Sequence, residues 1–262
     1  IPQANASTKK GEWKRSKFMG VELYGKVLGV VGLGRIGKEV AKRALSFGMK
    51  ILAYDPFLSK EVADSLGIEV ADLKRVLEQA DYITVHTPLT DDTRHIISDK
   101  EFAIMKNGVR IINCARGGII DEVALVKAVK DGKVIGAALD VFEDEPIKPE
   151  NELLKLDNIV VTPHLGASTE EAEDNCAVMA VKQTKDFLET GNIKNSVNFP
   201  DCDLPFSNKC RLIIANKNVP NMVGQITTRL AEKGINISDM INKHKREIAY
   251  NIIDLDTVIT DE

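Results

Sequence analysis

Aromatic residues are scarce in this chain of 262 residues, at 5%, with a single Trp. Cysteines number four (Cys114, Cys176, Cys202 and Cys210) and show neither C-x-x-C nor zinc-ligand spacing. Nothing in that pattern builds a disulfide scaffold or a metal site, so reduced thiols in a cytoplasmic setting are the expectation. Long apolar runs are missing as well. The longest are broken by glycine and fall far below the ~18 residues of a membrane span. Positive charge is not in excess: the net charge is −4 and no Lys/Arg run offers a field for nucleic acid. There is no signal-peptide pattern, internal repeat or low-complexity tract. The chain opens on Ile1-Pro2-Gln3 without an initiator Met, and we expect a piece of a longer protein. What is present, 44% hydrophobic and 28% charged residues, suits globular domains with a real core.

One stretch organises the rest. The apolar run at residues 27–31 reads as a buried strand and leads into Gly32-Leu33-Gly34-Arg35-Ile36-Gly37, a G-x-G-x-x-G. A helical pattern follows, with Ile36, Val40, Ala44 and Phe47 on one face. In such a turn Gly32 makes the bend, Gly34 lets the backbone approach a pyrophosphate and Gly37 brings helix and strand together. The N–H groups at the helix start then point at the anion. A second strand, residues 50–54, ends in Asp55, where the fingerprint wants a carboxylate for the adenosine ribose. Strand, helix and acid together raise the motif above a chance glycine turn and predict a dinucleotide site.

From there strands alternate with helices. We expect helices at 35–47, from Ser59, at 72–79, 99–105 and 122–130. Strands are expected near Ile68 and at 82–86, 109–113, 134–139 and 159–162. This alternation predicts an α/β architecture, a Rossmann-like doubly wound parallel sheet with its crevice beyond the carboxyl ends of the strands. A long helix opens at Ser168, with Glu171 at capping-box spacing, carries Ala172, Cys176, Met179, Ala180 and Phe187 on one face, and stops at Gly191. Residues 192–209, rich in Asn and Pro and including Asn208, have a linker's composition. A βαββ pattern follows (strand 212–215, helix 222–232, strands 235–241 and 248–255). It predicts a truncated α+β ferredoxin-like unit. Residues 1–25, polar and basic, read as an irregular approach with one helical turn. The expected division is 1–20 as the remnant of a hinge and preceding domain, 21–190 as the nucleotide domain, 191–207 as linker with a hinge segment and 208–262 as the small unit.

Three residues fall at carboxyl ends of strands or in adjacent loops: Arg116, Glu145 and His164. Arg116 precedes two glycines, and its fork matches a carboxylate bidentately. Taken alone it fits a structural ion pair equally well. Glu145 sits in an acidic loop that alone reads as a solvated turn. A lone His is usually structural or at the surface, and His86 and His95 receive that reading. His164 differs because it shares with the other two the face where a nucleotide's reactive end must lie.

Residues 13–20, 32–37, 85–89, 113–121, 136–146 and 162–168 resemble the D-isomer-specific 2-hydroxyacid dehydrogenases almost continuously over 1–199. Within that family the likeness is to the branch that oxidises 3-phosphoglycerate. The resemblance implies NAD as cofactor, held by Gly32, Gly34, Arg35, Ile36, Gly37, Asp55, Thr87, Cys114 and Asp140. It also implies His164 as general base, Glu145 as its partner and Arg116 as the clamp on the substrate carboxylate. Most of the family's substrate domain would lie outside this chain. Another 2-hydroxyacid (glyoxylate, hydroxypyruvate or D-lactate) or an NAD(H)-sensing role like that of related corepressors also fits the nucleotide half. The tail resembles the start of an ACT domain, which implies self-association and an L-serine effector at Asn216, Asn218 and Asn236. Asn216 stands where some serine-inhibited members have His, and Asn221 replaces a common glycine; turn and cap roles would explain these asparagines equally well.

Overall fold

The computed structural model describes residues 1–58, 60–206 and 210–258, which divide into two compact units, Ile1–Gly166 and Ala167–Glu262. The first opens with α1 (Pro2–Lys9) and a 3-10 turn at Arg15–Phe18, more ordered than the approach expected there. Then come β1 (Val27–Val31), α2 (Arg35–Ser46), β2 (Lys50–Tyr54), α3 (Lys60–Ser65), β3 (Glu69–Val70) and α4 (Leu73–Gln79). β4 (Tyr82–Val85), α5 (Asp99–Ile104), β5 (Val109–Asn113), α6 (Glu122–Lys130), β6 (Val134–Leu139) and β7 (Ile159–Val161) complete it. The expected helix start at Ser59 lies outside the described residues.

All seven strands run parallel, in the order β3-β2-β1-β4-β5-β6-β7. The chain winds outward from β1 in one direction and from β4 in the other, so the switch point opens a crevice between their carboxyl ends. Successive residues of β1 feed opposite layers, as a strand's twofold period demands. Val30 packs with Leu33, Ala41 and Ile51, whereas Val31 packs with Ile83, Ile111 and Leu125.

Helix α2 corrects one expectation. Its buried residues are Gly37, Ala41 and Ala44, while Ile36 and Phe47 are 67% and 63% exposed. The reason is closeness. A Cβ at Gly37 would lie 2.2 Å from the Gly32 carbonyl oxygen, so only small residues fit the face turned to the sheet.

The second unit contains α7 (Glu170–Thr190), β8 (Cys210–Lys217), α8 (Met222–Glu232), β9 (Ile237–Lys245) and β10 (Ile248–Leu255). Its three strands form an antiparallel sheet in the order β8-β10-β9. The N-cap of α7 is Thr169, whose hydroxyl accepts the Ala172 N–H at 3.1 Å, rather than Ser168. The apolar face expected on this helix is not buried: Met179 and Phe187 are 48% and 45% exposed. Gly191 ends it in the left-handed region, φ 74°.

Residues 192–206 differ most from their composition. Ile193 and Cys202 form a two-way backbone bridge, and both pack with Leu204 against Tyr250 and Ile252. Arg211 locks the arrangement. It makes a buried two-pronged ion pair with Asp254 and donates to the carbonyls of Thr190, Leu204 and Pro205. Asn208, counted with this stretch in the sequence, lies outside the described residues.

Candidate active site

The candidate residues stand on three loops at the carboxyl ends of β5, β6 and β7. Asn113, the buried last residue of β5, shapes the first: its Oδ1 accepts the Ala115 N–H at 3.0 Å, and its Nδ2 donates to the Arg116 carbonyl at 2.9 Å. Arg116 is exposed, and one guanidinium nitrogen donates to the Ala115 carbonyl at 2.6 Å. Its remaining donors have no partner among the described residues. A Cβ at Gly117 would lie 1.7 Å from the Phe142 carbonyl oxygen, so glycine lets the first loop touch the second.

The second loop begins at Asp140, which is 4% exposed. Its carboxylate accepts the Thr162 hydroxyl and the N–H groups of Leu165 and Gly166, each at 2.8 Å. Burial works to raise this carboxyl, but the Thr162 hydroxyl and the two amides outweigh it and hold it below the usual range. Asp140 thus ties the third loop in place. Within that loop His164 has φ 56°, a left-handed conformation held from both sides. Its own N–H reaches the Thr162 carbonyl at 3.0 Å, and the next amide reaches Asp140.

His164 Nδ1 and Glu145 Oε2 are 2.7 Å apart. The carboxylate can only accept, so Nδ1 carries the proton and Nε2 is left as the basic nitrogen. The other Glu145 oxygen accepts the Phe142 N–H at 2.9 Å. The His164 bond, followed by that amide, holds the Glu145 carboxyl below its ordinary range. Beside these loops a cleft of about 750 Å³ is lined by Arg35, Ile36, His86, Thr87, Cys114 and Arg116, among others. Burial, with the charge of Asp140, pushes the Cys114 thiol up, and burial pushes the His86 imidazole down. His86 shares a 3.0 Å hydrogen bond with Thr84.

The profile of the D-isomer specific 2-hydroxyacid dehydrogenase NAD-binding domain matches residues 1–166. The chain belongs to that family. It is 48% identical over 256 residues to the D-3-phosphoglycerate dehydrogenase of Methanocaldococcus jannaschii, covering 97% of this chain and 48% of that protein. Among solved structures it is similar to a glyoxylate reductase from Paecilomyes thermophila. There the TM-score is 0.69 at 38% identity, over 73% of this chain and 58% of the other. A D-lactate dehydrogenase from Aquifex aeolicus complexed with NAD and lactic acid gives 0.65 at 35% identity, over 71% and 61%. The chain spans about half or less of the length of these curated relatives.

The cleft of this dehydrogenase domain fits NAD on its own geometry. Gly32 bends at φ 93°, and a Cβ at Gly34 would meet no protein atom within 4 Å, leaving an open seat at the N-terminus of α2 for a diphosphate. Asp55 stands just past β2 with its two oxygens fixed by the N–H groups of Leu33 (2.8 Å) and Phe57 (2.9 Å). Each oxygen keeps a lone pair for a ribose hydroxyl. Among the described residues, Thr87 Oγ1 is the buried side-chain polar atom that lacks a hydrogen-bond partner, and it lines this cleft. Such an atom needs a partner, which a bound nucleotide would supply.

Sequence reasoning gave no role to Asn113 or Thr162 and gave Gly117 only a part in the turn after Arg116, although all shape these loops. An Asn closing a strand just before Cys-Ala-Arg-Gly-Gly is a signal for an Asx turn. The closeness that requires Gly117 has no local signature. Asn216 and Asn218 lie at one end of the small sheet and Asn236 at the other, as the registers of β8 and β9 on β10 fix. Strand rise separates them by roughly 20 Å within one chain.

Proposed function

We propose that this chain is the nucleotide-binding part of an NAD-dependent dehydrogenase that oxidises D-3-phosphoglycerate to 3-phosphohydroxypyruvate, the first step of phosphorylated serine synthesis. The observation that carries the reading is the 2.7 Å pair of His164 and Glu145, next to a cleft suited to NAD. NAD held in that cleft would supply the acceptor for the C2 hydride. His164 Nε2 takes the proton of the C2 hydroxyl, and Glu145 orients the ring and stabilises the charge it gains. Arg116 holds the substrate carboxylate with a planar fork. Arg35, Ile36, Thr87 and Cys114 line the cofactor's seat, and Asp140 keeps the His164 loop at its edge.

The choice of 3-phosphoglycerate rests on likeness to the Methanocaldococcus jannaschii protein, which extends through the small C-terminal unit. The two structural neighbours named above act under other names, so the deciding experiment is a turnover panel. The intact protein should oxidise 3-phosphoglycerate with NAD far faster than D-lactate or glycolate. A preference for either of the latter would move the protein to another branch.

The same reading makes residues 208–262 part of an ACT-type module and places the protein in the cytoplasm, in keeping with four unpaired cysteines. Because Asn216 and Asn218 are far from Asn236 in one chain, an L-serine site using all three needs two copies. Asn218→Ala should then raise the serine concentration needed for inhibition. A rate indifferent to millimolar serine would leave the module as an assembly surface.

A further inference from the structure

Between Asp140 and Glu145, Glu143 ties the candidate loop to the start of α6. The Glu143 N–H donates to Glu122 Oε1 at 2.7 Å, and the Glu122 N–H returns to Glu143 Oε1 at 3.3 Å. Two carboxylates thus cap each other's backbone across the gap between the start of α6 and the loop. Asn151 steadies Glu122 through its other oxygen, at 3.0 Å. Beside them His95 bridges two acids, Glu143 and Asp121, the residue before Glu122: its Nε2 lies 3.0 Å from Glu143 Oε1, and its Nδ1 lies 3.6 Å from Asp121. A donor between like charges relieves their repulsion.

The backbone is committed to this placement. His95 has φ 50°, a left-handed conformation, and its N–H donates to the Gly118 carbonyl at 2.8 Å. Residues 97 and 119–121 continue the contact as a parallel bridge. A continuous path therefore runs from His95 through Glu143 to Glu145 and His164. From the sequence alone His95 reads as a structural or surface histidine.

We propose that His95 is a positioning residue: acting through Glu143, it fixes the loop that aims Glu145 at His164. The inference rests on the reading that His164 is the general base. Misplacing a catalytic group by a fraction of an ångström costs about tenfold or more in turnover while leaving ground-state binding alone.

The test uses the intact protein. His95→Ala should lower kcat about tenfold, with KM for NAD and substrate within about twofold. His95→Gln, whose amide reaches the Nε2 position, should restore most of the loss. Glu143→Ala should match His95→Ala, and the double variant should be no worse than either single one, because both act on one path. Turnover unchanged in His95→Ala, a loss that Gln does not restore, or losses that multiply in the double variant would each overturn the proposal. If His95→Ala does not fold, the Glu143→Ala and Gln arms still decide it. His164→Ala run alongside separates the two readings, since near-normal turnover there removes the base assignment whatever His95 does.

Discussion

The two units bury polar side chains to different ends. In the first, Thr84, Asn113 and Asp140 are buried at or near the carboxyl ends of strands, and the latter two spend their hydrogen bonds on loops. In the second, Asn251 and Asp254 are buried within a strand and spend theirs on neighbouring strands and on the 190–206 stretch. Asn251 donates to Asn216 Oδ1 at 2.7 Å and accepts from Asn242 at 2.6 Å, joining all three strands. Asp254 holds Arg211, which holds the carbonyls of Thr190, Leu204 and Pro205. Buried polarity at the carboxyl ends of the parallel sheet orders the candidate loops; buried polarity on the central strand of the small sheet orders the fold. Breaking the first should change chemistry more than stability, and breaking the second the reverse.

The most damaging test of that contrast is Asp254→Ala. Arg211 would keep its carbonyl partners but lose its counter-charge in a place where water cannot replace it. Removing one partner of a buried pair costs about 3–5 kcal/mol. Denaturant unfolding of the second unit should show a loss of that size with NAD affinity unchanged. A loss below about 1 kcal/mol would mean the pair is not what orders residues 192–206.

Next in size is His164→Ala, the opposite case. Turnover of the intact protein should fall about 100-fold or more, the usual worth of a general base, while melting temperature and NAD binding stay near those of the unmodified protein. Near-normal turnover would remove His164 from the mechanism.

A smaller effect is expected at Asp55. In the proposed reading its carboxylate would supply a ribose acceptor and a charge that opposes a 2′-phosphate. Asp55→Ala should shift the ratio of NAD to NADP affinity by about tenfold, some 1.4 kcal/mol, toward NADP. Calorimetry on the unmodified chain giving equal affinities for the two would defeat the assignment.

The same contrast explains what was legible in the sequence. Strands β1, β2, β5, β6 and β10 carry apolar runs bounded by breakers, so the doubly wound sheet and the three-stranded tail follow from pattern alone. The glycine fingerprint and Asp55 are local too, since their chemistry needs fixed spacing along one βαβ unit. Long-range effects are not legible. Ile36 and Phe47 look like core residues until the closeness of α2 to the sheet reserves that face for Gly37, Ala41 and Ala44. Residues 192–206 have a linker's composition, yet Arg211 and Asp254, distant in sequence, order them. The ties of Asp140 to the loop that bears His164 are another such effect, with no local signature around Asp140 itself.

The smallest effect sharpens the contrast from within the site. Glu145 is folded with its carboxyl below the ordinary value of 4.5, first through His164 and then through the Phe142 amide. A carboxylate whose folded pKa is depressed adds stability above its unfolded pKa, and that stability fades as pH falls through the lower, folded value. The side chain is 36% exposed and its partner 51%, so solvent screens the pair and the contribution is small. Glu145→Gln should therefore lower the melting temperature by only a degree or two at pH 7, and the difference should close as pH drops below about 4.5. Asp81 and Asp140, also held low, titrate alike in both proteins and cancel in the comparison. A melting difference that stays constant from pH 7 to pH 3 would show that Glu145 stabilises the loop by shape rather than by charge. One that widens at acid pH would have the wrong sign for a depressed carboxyl altogether.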